Sequence, residues 1–284
     1  MSVIATEPRR LRLLPLHFMR SETAGRWLHA VVPITFVLFL VVVWEIAVRE
    51  LGVSKVILPA PSVIGEALAQ NWPVLLRSLA ITFSVMIEAF LLAVLSGIGM
   101  SVIFARFRIL EMAVFPLAVI LQVTPMIAIA PLLLIWVGLD HVDRALLILA
   151  TVVAFFPILS NTTLGLRSVD HNLRDLFLLN RATSWQRLVE LELPSSLPYI
   201  LGGMKISGGL ALIGSVVAEF VAGSGSATGL AWRIVEAAND LDTPRMFAAL
   251  FLLSGLGVFN FAALTALQHL LLRTWHESAI RTER

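Results

Sequence analysis

Cysteine is absent from the 284-residue sequence, and lysine occurs only at Lys55 and Lys205. Without cysteine the chain forms no disulfide, uses no thiolate nucleophile and builds no cysteine-ligated zinc site. Charged residues are also scarce, at 14% of the chain, whereas a typical soluble domain carries about 25%. The net charge of +2 is too small to indicate a nucleic-acid partner. These shortages argue against a disulfide-rich domain, a thiol enzyme and a nucleic-acid-binding protein.

The chain is instead rich in hydrophobic residues, which make up 58% of the sequence and give a mean hydropathy of +0.89. A membrane-spanning helix needs about 20 mostly apolar residues. Six stretches meet this requirement, over residues 29–48, 79–104, 112–137, 144–162, 200–221 and 246–272. The sequence therefore predicts an all-α polytopic membrane protein in which each of these stretches forms a transmembrane helix.

The two ends of the chain differ from its apolar middle. Residues 1–28 are rich in arginine, and the apolar run after them has no small-residue cleavage site, so we interpret it as a retained first span. The predicted organisation is a cytoplasmic tail over 1–28, a transmembrane domain over 29–275 and a cytoplasmic tail over 276–284. Both tails are placed inside because arginine and lysine are more frequent in the loops on that side.

The third predicted span contains three prolines, Pro116, Pro125 and Pro131. Each proline removes a backbone hydrogen bond and kinks a helix. In a membrane the freed carbonyl groups must be satisfied by protein or by a water-filled cavity. We therefore expect one kinked helix over 112–137, which either lines a transport path or simply packs against its neighbours.

Two loops on the predicted outer side contain further helix signals. Ser62 follows a proline-rich turn and is expected to cap a short helix over 63–70. Residues 222–229 are rich in glycine and serine and end at Gly229. The mixed polar and apolar stretch that follows, Leu230 to Asn239, predicts an interfacial helix.

Ionisable residues inside membrane spans are functional candidates by default. Glu88 lies in the middle of the second span, where it either faces the interior of a dimer or bonds to a neighbouring helix. Glu219 ends the fifth span beside the glycine-rich loop and is a candidate for a gate. The histidines have no ligand spacing, so we expect no metal site, and no nucleophile–base pair indicates a membrane enzyme.

The longest polar loop, over about 161–199, separates the fourth and fifth spans and reads as two short amphipathic helices. Asp170 is a plausible N-cap for the first helix. Thr183 and Gln186 have the spacing of a capping box, so a second helix is expected from Ser184 to about Glu190. A solvated linker would not keep an apolar stripe and a capping box, and we infer that this loop docks into another protein.

The end of the loop is marked by two further prolines. Pro194 and Pro198 are expected to end the loop and to start the fifth span. Asn180 and Arg181 lie at the break between the two short helices.

This loop resembles the cytoplasmic "EAA" loop of permease subunits of bacterial ATP-binding-cassette (ABC) importers. The family pattern is Glu-Ala-Ala, then a glycine followed by Ala-Ser, a frequent Trp-Gln, and Leu-Pro at fixed distances. Asp175 stands at the glutamate of this pattern, and the spacing agrees throughout. The later positions are occupied by Arg181, Ala182, Thr183, Trp185, Gln186, Leu193 and Pro194.

Arg181 is the main departure from the family pattern, because it replaces the glycine that allows a left-handed turn. That conformation costs a non-glycine residue roughly 1 kcal/mol. Asparagine tolerates it better, so Asn180 is expected to adopt the left-handed conformation instead. Asp175 is the second departure, and it keeps the negative charge on a shorter side chain.

The resemblance extends over about residues 44–275 and is strongest to the branch that serves nitrate, sulfonates, taurine and pyrimidine precursors of thiamine. It implies the fold of a type I ABC importer permease in the bacterial inner membrane. It also implies a translocation subunit without enzymatic activity or a bound cofactor of its own. The candidate path and gate residues are Glu88, Pro125, Pro131, Glu219 and Gly229.

The resemblance also implies partners. The chain has no G-x-x-x-x-G-K-[ST] motif, so a separate ATPase pair would hold ATP and magnesium. Each ATPase would grip the short helix around Thr183–Glu190 in the coupling loop, residues 163–199, of one permease. Its movement would pass through Pro194 into the fifth span. Because the ATPase pair is symmetric, we expect a permease homodimer. An extracytoplasmic binding protein would deliver a small polar solute such as a sulfonate, taurine, nitrate or a pyrimidine-type compound.

The main alternative is an ATP-independent secondary transporter or channel. Such proteins often contain internal repeats, and none is recognisable here. A membrane scaffold or enzyme is a further alternative. Neither class needs a docking loop of this pattern.

Overall fold

A computed structural model of the chain describes residues 22–222 and 228–273, and within these ranges the regular secondary structure is entirely helical. The predicted tails therefore lie largely outside the described residues, as does most of the glycine-rich loop before Gly229. The helices are α1 (Glu22–Glu50), α2 (Pro61–Gln70), α3 (Trp72–Arg106), α4 (Arg108–Val123), α5 (Met126–Val137), α6 (Val142–Arg167), α7 (His171–Leu179), α8 (Ser184–Arg187), α9 (Leu193–Ala222), α10 (Leu230–Asn239) and α11 (Thr243–Leu272).

The chain divides into two compact units after Val53. The first unit contains α1, whose segment Val31–Glu50 has a mean hydropathy of 2.6 and is almost entirely exposed within the unit. A helix with exposed apolar side chains along its whole length is stable in a bilayer, because lipid hydrocarbon removes these side chains from water as a protein core does. The predicted first span is confirmed as a helix of sufficient length and apolarity to cross a membrane.

The second unit contains the remaining spans. Within the described residues, α3, α6, α11 and the continuous segment Ser184–Val221 each have the length and apolarity to cross a membrane. The pair α4 and α5 passes the same test only when the two helices are taken together. Five single-helix spans and one broken span agree with the prediction of about six, although the helices are longer than expected, since α3 begins at Trp72 and α6 continues to Arg167.

The expected single kinked helix over 112–137 is wrong. Two helices meet there at an angle of 105°, with Thr124 and Pro125 between them. The proline ring disfavours the helical conformation of the residue before it, and Thr124 is accordingly extended, with a ψ of 128°. Pro116 and Pro131 lie inside α4 and α5, which continue past them.

The cap of α2 also differs from the prediction. The helix begins at Pro61 and its N-cap is Ala60, so the expected cap at Ser62 is wrong. Proline is favoured in the first helical turn because its missing N–H would have no intrahelical partner there. The predicted interfacial helix from Leu230 to Asn239 is confirmed as α10.

The centre of the second unit is the pair α6 and α9, which pack against each other over most of their length, with α3 against both. Small residues let the two backbones approach closely. A Cβ atom at Gly214 of α9 would lie 2.8 Å from the Cα atom of Ala150 in α6. Hydroxyl groups add bonds between the helices, since Ser207 Oγ donates to the Ala154 carbonyl at 2.6 Å. Close backbone contact of this kind is how membrane helices gain packing energy.

We predict that Gly214→Ala destabilises the protein, whereas Gly209→Ala does not. The added methyl group at Gly214 meets the backbone of α6, which must shift, at a cost of about 1–3 kcal/mol. Gly209 lies in the same helix but has no atom within 4 Å of its added Cβ, so alanine there only improves helix propensity. Thermal unfolding of the two purified variants in detergent compares them, and equal melting temperatures would contradict the assigned α6–α9 contact.

Candidate functional site

The first candidate site is the α7–α8 segment, residues 170–192, which joins α6 to α9. Asp170 is the N-cap of α7, and its Oδ1 accepts a hydrogen bond from the Asn172 N–H at 2.8 Å, as predicted. Thr183 is the N-cap of α8. Its Oγ1 accepts from the Gln186 N–H at 3.2 Å, and Gln186 Oε1 accepts from the Thr183 N–H at 2.8 Å. The predicted capping box is therefore confirmed, and each short helix begins at a defined residue.

Arg181 itself takes the left-handed conformation, with a φ of 56°, so the expectation that Asn180 would take it is wrong. Asn180 keeps a φ of −81°, and its side-chain Nδ2 donates to the Leu176 carbonyl at 2.8 Å. The Ala182 N–H donates to the Phe177 carbonyl at 3.0 Å, which is the long bond of a Schellman motif. The left-handed residue of that motif follows the end of the helix, and this position is Arg181.

α9 begins at Leu193, so Pro194 lies in its first turn, close to the predicted start of the fifth span, but Pro198 lies inside the helix and the two prolines do not separate the loop from the span. Helical structure continues from Ser184 to Ala222, because a π-helical turn over Leu188–Glu192 joins α8 to α9. The Leu193 N–H donates to the Leu188 carbonyl, five residues earlier. The wider turn accommodates Pro194, which lacks an N–H and would clash with the carbonyl four residues before it in a regular α-helix.

The outer surface of the α7–α8 segment is unusually apolar for a polar loop. Leu179 and Trp185 are 82% and 69% exposed, and Leu176 and Leu178 are exposed beside them. Asp175, at the glutamate position of the family pattern, lies 2.9 Å from His171 Nδ1. Exposed apolar side chains grouped on one short segment mark an interaction surface.

Ion pairs and a hydrogen bond attach the α7–α8 segment to the end of α6. Glu192 in the π-helical turn accepts from Arg187 Nε at 3.2 Å and lies 3.9 Å from Arg174 of α7. Arg174 also donates to the Leu166 carbonyl at the end of α6, at 2.9 Å. α7, the π-helical turn and α6 are therefore linked by side chains as well as by the chain itself.

We predict that Arg181→Gly raises the melting temperature, because glycine adopts the left-handed conformation without the roughly 1 kcal/mol cost of an arginine. Asn180→Gly is the matched control. Asn180 has a negative φ, so glycine there relieves no strain; it adds chain entropy to the unfolded state, removes the hydrogen bond to the Leu176 carbonyl and is expected to lower the melting temperature. A lower melting temperature for Arg181→Gly would contradict the strain assigned to this residue.

The second candidate site lies at the opposite end of the second unit, around Glu219. Thr82 Oγ1 of α3 donates to Glu219 Oε1 at 2.7 Å, and the Ala231 N–H donates to Glu219 Oε2 at 2.9 Å. The Leu230 N–H donates to Thr82 Oγ1 at 2.9 Å. Glu219 and Thr82 are both buried and together satisfy the first N–H groups of α10, so they serve as its cap.

Position 229 has no room for a side chain, and only glycine fits there. A Cβ atom added at Gly229 would overlap the carboxylate of Glu219. Glu219 and Gly229, both candidates for a gate, are therefore in contact, while the assignment of a gate stays a prediction. Thr82 was missed by sequence reasoning, because a single threonine within an apolar span gives no signal of its partner.

A cluster of ionic groups fixes the other side of α10. Arg233 donates to Ser78 Oγ of α3 at 3.0 Å and to Glu236 at 2.8 Å, and Arg245 of α11 donates to Glu236 at 2.8 Å. The hydrogen bond from Arg233, together with the positive charges of Arg233 and Arg245, lowers the pKa of the Glu236 carboxyl. Glu236 therefore stays ionised at neutral pH, and its stabilising contribution is lost only as the pH falls through that lowered pKa.

We predict that Gly229→Ala destabilises the protein by about 2 kcal/mol, since it displaces the buried Glu219 carboxylate from the N–H groups of α10. Gly255→Ala is the control, because an added Cβ at Gly255 has no atom within 4 Å. Melting temperature in detergent measures both variants. If Gly229→Ala melts with the wild-type chain, the Glu219 cap does not hold α10.

The remaining sequence-predicted path residues form no part of this cap in the described part of the chain. Glu88 lies on an exposed face of α3, in contrast to the buried Glu219. Pro125 is exposed at the break between α4 and α5, and Pro131 is exposed on α5. Their assignment to a translocation path stays a prediction.

Comparison with known proteins assigns the chain to a family. Residues 93–275 match the family described as the inner membrane component of binding-protein-dependent transport systems. The chain belongs to this family. It is 34% identical to the formylaminopyrimidine transport permease protein ThiX of Halalkalibacterium halodurans, over 86% of this chain and 95% of the relative.

Two further relatives cover most of the chain. It is 32% identical to the riboflavin transport system permease protein RibX of Chloroflexus aurantiacus, over 92% of this chain and 95% of the relative. It is 31% identical to the putative aliphatic sulfonates transport permease protein SsuC of Bacillus subtilis, over 84% of this chain and 85% of the relative. The protein is thus an ABC importer permease and a multi-pass inner membrane protein, as the loop pattern predicted. An ATP-independent transporter or channel is not supported.

Proposed function

We propose that the α7–α8 segment is the docking site of the ATPase subunit of this importer. The observation that carries the proposal is a segment with two capped helix starts that exposes Leu179 and Trp185. A rigid apolar surface loses little entropy on binding, which favours its use in an interface. The matching spacing from Asp175 to Pro194 supports the same partner.

The connection to the membrane supports a rigid transmission of movement. Because helical structure runs from Ser184 to Ala222 without a break, displacement of α8 would tilt α9 directly. α9 packs along α6, and Glu219 in its last turn holds the start of α10 at the opposite end. Movement of a span as a rigid body is how alternating access proceeds in many transporters.

The distribution of positive charge supports a cytoplasmic location for this docking surface. The described end that carries the α7–α8 segment is rich in arginine, and positive charge marks the cytoplasmic side of a membrane protein. The residues concerned are Arg106, Arg108, Arg167, Arg174, Arg181, Arg187 and Arg273. Both termini are proposed to lie on that side.

We place the translocation path between two copies of the chain, along the α4–α5 break. Irregular backbone at membrane depth is stable only where protein covers it or where it lines a water-filled cavity, and Val123 and Pro125 are exposed in the single chain. Glu88 supports the same arrangement, because an ionised side chain facing lipid costs about 2.5–3.5 kcal/mol or more. A symmetric ATPase pair favours a homodimer.

For the substrate we propose a pyrimidine-type or related nitrogen heterocycle, delivered by an extracytoplasmic binding protein. Two of the relatives compared above carry the names of such compounds, formylaminopyrimidine and riboflavin. Sulfonates, taurine and nitrate remain the other candidates in the branch. Titration of the partner binding protein with each of these solutes tests the choice, and tight binding of nitrate or a sulfonate alone would refute it.

We predict that the double substitution Thr183→Glu and Trp185→Glu abolishes co-purification of the ATPase. It removes the largest exposed side chain of the surface and places two negative charges there, while both side chains point away from the packed core. The permease itself is expected to insert, with a melting temperature lowered only by the loss of the Thr183 cap, which costs about 1 kcal/mol.

The matched control is Gln70→Glu with Asn239→Glu, which adds the same charge to exposed positions at the opposite end of the second unit. This control is expected to retain the ATPase. Full ATPase binding by the Thr183 and Trp185 double variant would show that the segment is not the docking site.

A further inference from the structure

A cavity of about 620 Å³ lies at the same end of the second unit as the α7–α8 segment, between α3, α4, α6, α7 and the π-helical turn. It is large enough for a small ligand or a lipid headgroup. Its lining is strongly charged and includes Arg108, Arg167, Arg174, Arg187, Glu111 and Glu192.

The carboxylates of this cavity are already paired. Arg167 donates to Glu111, and Glu192 accepts from Arg187 at 3.2 Å. Asp175, also in the lining, lies 2.9 Å from His171 Nδ1. Glu111 and Glu192 therefore each have an arginine partner within hydrogen-bond distance, and Asp175 has the His171 imidazole.

Two arginines of the cavity have guanidinium groups that are not fully paired with carboxylates or hydrogen-bond acceptors. Arg108 is exposed and has no ion-pair partner among residues 22–222 and 228–273. Arg174 lies as far as 3.9 Å from Glu192, and its Nε is buried without a hydrogen-bond partner in the same part of the chain. A buried unpaired donor of a charged group costs free energy that a bound anion would recover. The lining of the cavity therefore has more positive than negative side chains, and Arg108 and Arg174 are the cations that could bind an anion inside it.

A second, apolar groove of about 220 Å³ adjoins the charged cavity and shares Arg108, Glu111 and Arg167 with it. Its other lining residues are Met112, Phe115 and Pro116, which follow one another along α4. α4 is the first half of the broken membrane span, so this groove runs from the charged cavity along a membrane helix. The combined site has a cationic end and an apolar end.

We propose that this site binds an anionic phospholipid, with its phosphate at Arg108 and Arg174 and one acyl chain along Met112 and Phe115. Basic pockets between spans on the cytoplasmic side are suited to anionic headgroups, whereas a free phosphate ion would gain nothing from the apolar groove. Arg174 belongs to α7, so the bound headgroup contacts the α7–α8 segment and stabilises its position against α4 and α6. The inference depends on membrane location and not on which partner the segment docks.

The test measures lipid retention by native mass spectrometry on the permease–ATPase complex extracted from nanodiscs of phosphatidylglycerol and phosphatidylcholine. We expect the wild-type complex to retain phosphatidylglycerol selectively. Arg108→Gln is expected to reduce that retention about tenfold, because one charge-assisted contact is lost, and Arg108→Lys to restore part of it. Arg106→Gln is the control, since Arg106 is exposed at the same end and does not line the cavity. Equal retention by Arg108→Gln and the control would overturn the proposal.

Two further arms separate the sources of the anion and the kind of partner. Met112→Asp is expected to weaken phosphatidylglycerol retention while the melting temperature stays unchanged, because it places a charge in the apolar groove. Displacement of the lipid by millimolar inorganic phosphate would show a simple oxyanion site and contradict a lipid site. Loss of ATPase from Arg108→Gln with unchanged lipid retention would identify the cavity as a protein contact and also contradict it. A failed ATPase-docking test at Trp185 would leave all of these lipid measurements unaffected.

Discussion

The packing of α6 against α9 is the contact on which both ends of the second unit depend. At one end α6 leads into α7 while α9 continues from α8, so the position of the α7–α8 segment is set by how these two helices meet. At the other end α9 carries Glu219 to the start of α10. The close approach of Gly214 and Ala150 makes α6 and α9 a rigid pair, because two helices whose backbones are in direct contact cannot easily move past each other.

Strained helix ends occur on both sides of this rigid pair. Arg181 after α7 and Leu241 after α10 both adopt a φ of 56°, and both are exposed. The Asp242 N–H donates to the Ala237 carbonyl at 2.9 Å, which gives the α10 end the same Schellman closure as the α7 end. Residues that keep an unfavourable conformation are often found at functional surfaces, and Arg181 lies where the ATPase is proposed to dock.

Prediction from sequence succeeded where the signal was local. Asp170 and the pair Thr183 and Gln186 were recognised because a cap is formed by residues two or three positions apart. It failed at Arg181, because the family glycine was replaced and the choice between two adjacent residues depends on where the last turn of α7 closes. It also failed at Pro125, since a proline predicts a disturbance of the helix but not an angle of 105°.

The sequence by itself determined the membrane class, the number of spans and the docking-loop pattern, because apolar run length, capping residues and motif spacing are properties of neighbouring residues. Only the tertiary structure decided that α8 and α9 form one helical path through a π-helical turn, and that Thr82 joins Glu219 at the cap of α10. It likewise revealed the charged cavity beside the apolar groove of α4. Each of these features joins residues far apart in the chain or depends on backbone geometry. A local sequence pattern predicts neither long-range contacts nor such geometry.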